Sequence, residues 1–129
     1  MTETTTTAIA TDVVDTYLAA YNETDVTVRD ALLEQAFAPE GRLVDPPLEG
    51  IGREGISEMM GIVHQQFPGH TFRRSSGVDE HHDHLRYGWE LLAPDGAVAL
   101  SGMDVAVVRA DGKLTRIAGF FGDLPARDA

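Results

Sequence analysis

Two aspartates lie among apolar neighbours, where a carboxylate is costly to keep. Asp45 lies in the segment Leu-Val-Asp-Pro-Pro, and Asp104 interrupts the apolar run Gly-Met-Asp-Val-Ala-Val-Val. Burial favours the neutral form of a carboxyl group, which is the form expected for Asp104. Asp45, beside a rigid proline pair, can instead reach into a cavity. A third polar group, Tyr17, lies on the apolar face of the first predicted helix. These residue types could perform acid–base chemistry in an apolar pocket.

A second group of polar residues is the segment His81–His84, with the sequence His-His-Asp-His. On a strand, alternate residues share a face, so this segment offers only pairs of ligands. A metal site needs a third ligand, and His64 and His70 lack a diagnostic spacing for one. We therefore predict no metal site and interpret the segment as a solvated hairpin end. If one of these histidines contributes to acid–base chemistry, it is His81, by the parity of its face.

The elements that must position these residues are visible in the spacing of apolar side chains. A spacing of three and four predicts a helix over 11–21, a second helix capped by Thr27 and stopped by Pro39 and Gly41, and a third over 53–67. A short strand over 42–45 precedes the third helix. A period of two then predicts four antiparallel strands joined by turns, over 70–78, 85–92, 98–108 and 114–121.

Composition limits the class of protein. The 129 residues fit one domain, 1–129, with residues 1–8 as a disordered lead-in. No apolar run approaches a membrane span and no secretion signal precedes the domain, so a cytoplasmic location without membrane contact is expected. The chain has no cysteine, which excludes disulfides and thiolate metal sites. Its net charge of −11 disfavours nucleic acid as a partner.

Helices that precede hairpin-linked strands predict an α+β fold, a curved sheet around helices with a pocket at its wide end. If Asp104 faces that pocket, Met103, Val105 and Val107 face away from it. Both faces of this strand are then apolar, and the chain has no further helix to cover the outer one. A homodimer formed through the sheet is the expected result.

The chain resembles the ketosteroid isomerase and SnoaL-like branch of the NTF2-like superfamily over residues 13–124. The resemblance is carried by Tyr17 on the first helix, Asp45 in Leu-Val-Asp-Pro, Asp104 before an Ala-Asp-Gly turn, the segment Gly-Arg-Glu-Gly-Ile at residues 52–56, and the closing Gly-Phe-Phe at 119–121. It implies an NTF2-like cone, an antiparallel-rich sheet wrapped around three N-terminal helices.

The resemblance also implies roles. Asp45 would be a general base, and Tyr17 and a protonated Asp104 would donate hydrogen bonds to an enolate oxygen, without any cofactor. The substrate would be an apolar, carbonyl-bearing small molecule, and the activity that of an isomerase or cyclase. Side chains expected to bind it, from parity or from family positions, are Tyr21, Phe37, Met60, Tyr87, Trp89, Phe121 and His81. Two alternatives remain open: a non-catalytic ligand-binding or association module, and a hydrolase or dehydratase that activates water in the same pocket.

Overall fold

A computed structural model describes residues 2–128, with side chains from residue 9 onward. This part of the chain forms three helices and seven strands. In chain order they are α1 Thr2–Asn22, α2 Val26–Ala36, β1 Phe37–Asp45, β2 Leu48–Ile51, α3 Gly52–Gln66, β3 Thr71–Arg74, β4 Asp79–His81, β5 His84–Leu92, β6 Val98–Val108 and β7 Leu114–Phe121.

The first two helices begin earlier than the sequence predicts. The backbone of α1 is helical from Thr2, over most of the expected lead-in; Met1 lies outside the described residues. In α2 the N-cap is Asp25 instead of Thr27, and its Oδ1 accepts a hydrogen bond from the Val28 N–H at 3.1 Å. An aspartate accepts this bond as readily as a threonine, so either residue satisfies the local pattern.

Strand β1 begins at Phe37, directly after α2, and is longer than predicted. It contains Pro39 and Gly41, which were expected only to stop the helix. The β1–β7 register shifts between Phe37 and Arg42, an irregularity that tolerates a proline without an N–H to donate. Strand β2, which the sequence did not predict, pairs with the end of β1 after a turn at residues 46–47.

The strands form one mixed sheet in the order β2-β1-β7-β6-β5-β3, with β4 also paired to β5. Its pairs are antiparallel except β1 with β7, which is parallel. The prediction of four antiparallel strands was therefore incomplete. Strands β6 and β7 have the predicted bounds. The predicted strand over 70–78 forms only over 71–74, as β3, and the segment Ser-Ser-Gly at 75–77 separates it from β4 at 79–81, which lies beyond the predicted bounds.

The sheet packs its inner face against the helices, which confirms the α+β architecture: α1 lies against β3 and β4, and α3 against β1 and β2. The predicted parity of β6 holds. Asp104 and Ala106 are buried on the inner face, while Met103 and Val105 on the outer face are 44% and 38% exposed. Phe120, the β7 partner of Met103, is also exposed. Across residues 2–128, no helix is long and apolar enough to cross a membrane.

Candidate active site

A cavity of about 200 Å³ opens between α1, the start of β2, the end of α3 and the inner face of the sheet. Most of its wall is apolar. Four of the side chains that line it carry titratable groups: Tyr17, Tyr21, Asp45 and Asp104. The three residues that the sequence put forward for chemistry are therefore brought together in one pocket, although 87 positions separate the first from the last.

Asp45 is the last residue of β1, where the chain turns into β2. The Tyr21 hydroxyl lies 3.5 Å from Asp45 Oδ2, at the long limit of a hydrogen bond. Burial raises the pKa of Asp45 to about 6, and the contact with Tyr21 lowers it only in part. A carboxyl group with this pKa is mostly ionised at neutral pH and still basic enough to take a proton from carbon.

Asp104 lies in the middle of β6 and is only 3% exposed. Its cross-strand partner on β5 is Tyr87, whose hydroxyl donates to Asp104 Oδ2 at 2.8 Å. Burial and, to a smaller extent, the negative charge of Asp45 raise the pKa of Asp104 to about 7, against the lowering effect of the Tyr87 bond. The indole N–H of Trp89 also lowers this pKa. No acceptor among the described residues meets hydrogen-bond geometry with that N–H, so its contact with Asp104 is not a well-formed hydrogen bond.

Gly119 separates the two carboxyl groups. It is the β7 partner of Asp104. A methyl group at this position would overlap Asp45 Oδ1 and would lie 3.0 Å from Asp104 Oδ1. Both carboxyl groups therefore face the same glycine, which explains why the charge of Asp45 raises the pKa of Asp104. The sequence pointed to Gly119 only through the Gly-Phe-Phe segment and gave it no role.

Tyr17 projects from α1 into the same pocket and is 2% exposed. Burial raises the pKa of its hydroxyl well above the ordinary value, and the charges of Asp104 and Asp45 raise it further. The phenol therefore stays protonated at neutral pH. Among the residues with described side chains its hydroxyl has no hydrogen-bond partner, so the O–H can donate to a bound molecule.

Aromatic side chains form one continuous wall of the pocket. The ring centroids of Tyr21 and Phe72 are 4.4 Å apart, those of Phe72 and Trp89 5.6 Å, and those of Trp89 and Phe121 5.5 Å. Phe72 was not among the predicted site residues; it belongs to the edge strand β3. The side-chain amide of Asn22 fixes this strand, donating to the Phe72 carbonyl at 2.9 Å and accepting from its N–H at 2.7 Å.

Three predicted binding residues lie behind the pocket wall instead of on it. Phe37 and Met60 are fully buried in the core, and Phe37 packs edge-on against the Tyr17 ring with centroids 5.8 Å apart. Tyr87 lies behind Asp104. Of the predicted binding residues, Tyr21, Trp89 and Phe121 line the cavity itself.

The expectation that His81 shares the inner face was wrong. The two-residue turn between β4 and β5, with His82 at a φ of 53°, pairs His81 with His84 and Glu80 with the buried Leu85. Pairing across this turn joins even-numbered to odd-numbered residues, so parity on β4 is the reverse of that on β5. His81 is exposed and its ring stacks on His84 with centroids 6.0 Å apart.

His64 and His70 each lie against a backbone carbonyl oxygen. His64 Nε2 lies 2.6 Å from the Tyr21 carbonyl oxygen, and His70 Nδ1 lies 3.0 Å from the Pro68 carbonyl oxygen. Within the described part of the chain, no three side chains of the metal-binding types are close enough together to hold a metal ion.

Comparison with known proteins gives a structural match only. No protein-family model and no curated protein matches the sequence. Among solved structures, a provisionally named isomerase of the SnoaL-like family from Agrobacterium tumefaciens is 35% identical. The match covers 90% of this chain and 99% of that protein, with a TM-score of 0.84.

Two more distant structures share the fold. A provisionally named polyketide cyclase from Sinorhizobium meliloti is 18% identical over 84% of this chain and 94% of its own, with a TM-score of 0.68. An NTF2-like superfamily protein from Salmonella enterica is 16% identical over 98% of this chain and 99% of its own, with a TM-score of 0.71. At these identities the likeness concerns the fold alone.

Proposed function

Since the chain belongs to the SnoaL-like family of the NTF2-like superfamily, we propose that it is a cofactor-independent isomerase or cyclase that acts on an apolar, carbonyl-bearing small molecule. One observation carries the proposal. Two carboxyl groups with raised pKa values, Asp45 and Asp104, and the hydroxyl of Tyr17 converge in one apolar pocket. Perturbed titratable groups in a pocket are typical of catalytic sites.

Asp45 is the general base of the proposed reaction. Its carboxylate takes a proton from the carbon next to the substrate carbonyl, and the electron pair of the broken C–H bond moves to the carbonyl oxygen. The Tyr17 O–H and the protonated Asp104 donate hydrogen bonds to that oxygen and stabilise its charge. In an isomerisation, Asp45 then returns the proton to a different carbon. In a cyclisation, the enolate carbon instead attacks a second carbonyl of the same molecule, and the alkoxide formed as the C=O π bond breaks takes up the proton that Asp45 had removed.

The Tyr87 bond supports the donor role of Asp104. Because Oδ2 accepts the Tyr87 O–H, the proton of a neutral Asp104 belongs on Oδ1, the oxygen near Gly119 and the pocket. This protonation pattern, with Asp45 ionised and Asp104 neutral, is most populated between the two pKa values, about 6 and about 7. Because the two groups interact, a pH–rate profile would report values that belong to the pair.

The test combines turnover of a β,γ-unsaturated ketone with binding of a fluorescent phenol, an oxyanion mimic. Asp45→Asn should lower kcat by 10²- to 10⁴-fold, the usual contribution of a general base, and should leave phenol binding intact. Tyr17→Phe and Asp104→Ala should each weaken phenol binding. Asp30→Asn, at an exposed position of α2, is the matched control and should change neither.

Two other outcomes would favour the alternatives. Phenol binding that depends on Tyr17 and Asp104, without turnover, would indicate a non-catalytic ligand-binding module. Two carboxyl groups facing one glycine could also orient a water molecule, as a hydrolase or dehydratase requires. In that case the wild-type protein would catalyse epoxide opening or dehydration and would not isomerise the ketone. Asp45→Asn would then abolish the epoxide opening or the dehydration.

We also propose that two copies of the chain associate through the outer face of the sheet. Met103 and Val105 on β6 and Phe120 on β7 form an apolar patch there, and all three are exposed in the single chain. Apolar patches on an otherwise acidic surface are typical of protein–protein contacts.

A further inference from the structure

The dimensions of the pocket limit what it can enclose. Its volume is about 200 Å³, and an apolar protein cavity of about 150 Å³ holds one benzene molecule. Pockets for drug-sized ligands span roughly 300 to 1,000 Å³. The enclosed part of a ligand is therefore closer in size to one or two fused rings than to four.

Packing behind the polar end fixes the depth of the pocket. The Tyr17 ring rests edge-on against Phe37, which is fully buried. Met60 is also fully buried on the helix side of the core. Large side chains therefore fill the space in which a deeper pocket would lie, and a ligand cannot move past Tyr17 without disrupting the core.

The aromatic wall determines the shape of the enclosed group. The wall is a row of four rings, each in contact with the next: Tyr21, Phe72, Trp89 and Phe121. The Asn22 amide holds Phe72 in this row. A planar ring can lie against such a wall and make the offset or edge contacts that aromatic groups favour. Phe121, the last member, is 43% exposed and so marks the side on which the pocket opens to solvent.

We propose that the substrate is a compact, planar molecule of one or two rings, with one enolisable carbonyl or phenolic oxygen directed at Tyr17 and Asp104, and not a four-ring polycycle. This inference rests on the proposed function and specifies its substrate class. Rings beyond the second would extend past Phe121 into water and would add no buried contact.

Three phenols of increasing size test the inference by titration against the native protein: phenol, 2-naphthol and a four-ring steroid whose first two rings form a 2-naphthol. 2-Naphthol should bind about tenfold tighter than phenol, because its second ring is buried. The steroid should bind no tighter than 2-naphthol. Leu100→Ala, which removes a wall side chain on β6, should improve steroid binding relative to 2-naphthol. Val98→Ala, on the same strand but outside the pocket lining, is the control.

Failure of the size inference can be distinguished from failure of the proposed function. A steroid that binds wild-type protein ten times tighter than 2-naphthol, with Tyr17→Phe weakening both, would overturn the size limit and leave the oxyanion site standing. If all three phenols bind in the predicted size order but Tyr17→Phe and Asp104→Ala do not change their affinities, the size limit is supported and the proposed oxyanion site is wrong. If none of the three binds, both ideas fail.

Discussion

Tyr87 and Asp104 face each other across neighbouring strands, and the Tyr87 hydroxyl lies 2.8 Å from Asp104 Oδ2. Both side chains are almost completely buried. A tyrosine that lies outside the pocket thereby determines which oxygen of a pocket carboxyl group is free. The sequence suggested Tyr87 as a residue that touches the ligand, whereas the structure gives it a positioning contact with Asp104.

Tyr87→Phe should raise the pKa of Asp104 above its present value of about 7, because the lost bond stabilises the ionised form. A hydrogen bond to a charged group contributes roughly 1.5 to 3 kcal/mol, which corresponds to a shift of roughly one to two pH units. The ¹³C NMR titration of the aspartate carboxyl carbons measures it. Tyr21→Phe, which removes the contact to Asp45, is the control and should leave Asp104 much less affected. An Asp104 titration that does not move in Tyr87→Phe would contradict the positioning role.

Because the pKa values of Asp45 and Asp104 are raised in the folded state, we expect the contribution of these two groups to the stability of the protein to fall as pH rises. Asp45 and Asp104 have folded-state pKa values of about 6 and about 7, above the ordinary 3.8, so the folded state binds more protons than the unfolded state between these limits. Their contribution to the free energy of unfolding is complete below about pH 4 and is lost as pH rises through 7.

Asp104→Asn removes one of these groups while keeping its shape. The variant should therefore lose less stability than the wild type between pH 5 and pH 8, by an amount on the order of a few kcal/mol. Urea denaturation at the two pH values gives the comparison. Equal pH dependence in both proteins would show that Asp104 titrates normally.

Gly119→Ala should disturb the site more than the fold. The added methyl group would overlap Asp45 Oδ1, so the base must move away from its present position. A misplacement of about 1 Å can lower kcat by about 100-fold. Gly77→Ala, where a methyl group meets nothing within 4 Å, is the matched control. Steady-state kinetics and the melting temperature should separate the two effects; full activity in Gly119→Ala would mean that Asp45 need not lie where the structure has it.

Val105→Glu should dissociate the proposed homodimer, because it introduces a charge into an apolar contact. Analytical ultracentrifugation at micromolar concentration should show a dimer for the wild type and a monomer for this variant. Ile62→Glu, at a similarly exposed position of α3, should remain dimeric. A stable wild-type monomer would remove the proposal.

The histidine segment 81–84 should be dispensable. Its rings contact one another on the exposed hairpin between β4 and β5, away from the pocket. We expect no stoichiometric metal in the purified protein and no change in melting temperature or turnover after treatment with a chelator. Stoichiometric metal that is lost in His82→Ala would reverse this interpretation.

Features with a local signal could be predicted from the sequence. The bounds of β6 follow from alternation between two turns that contain glycine, and those of β7 from alternation after the second turn. The same alternation identifies the inner face on which Asp104 lies. The apolar face of α1 likewise directs Tyr17 inward. These predictions succeeded because strand and helix periods depend on neighbouring residues only.

The arrangement of the site depended on tertiary structure. Asp45 reaches Gly119 because β1 pairs in parallel with β7, in a register that joins Val44 to Ala118 across 74 positions of sequence. Neither strand contains a local signal for that partner, since parallel pairing is fixed by the packing of the intervening helix and sheet. The sequence missed Phe72 and misplaced His81 because the positions of β3 and β4 depend on their antiparallel pairing with β5. Its composition and periods determined which residues turn inward, and only the register of the folded sheet decided which of them meet.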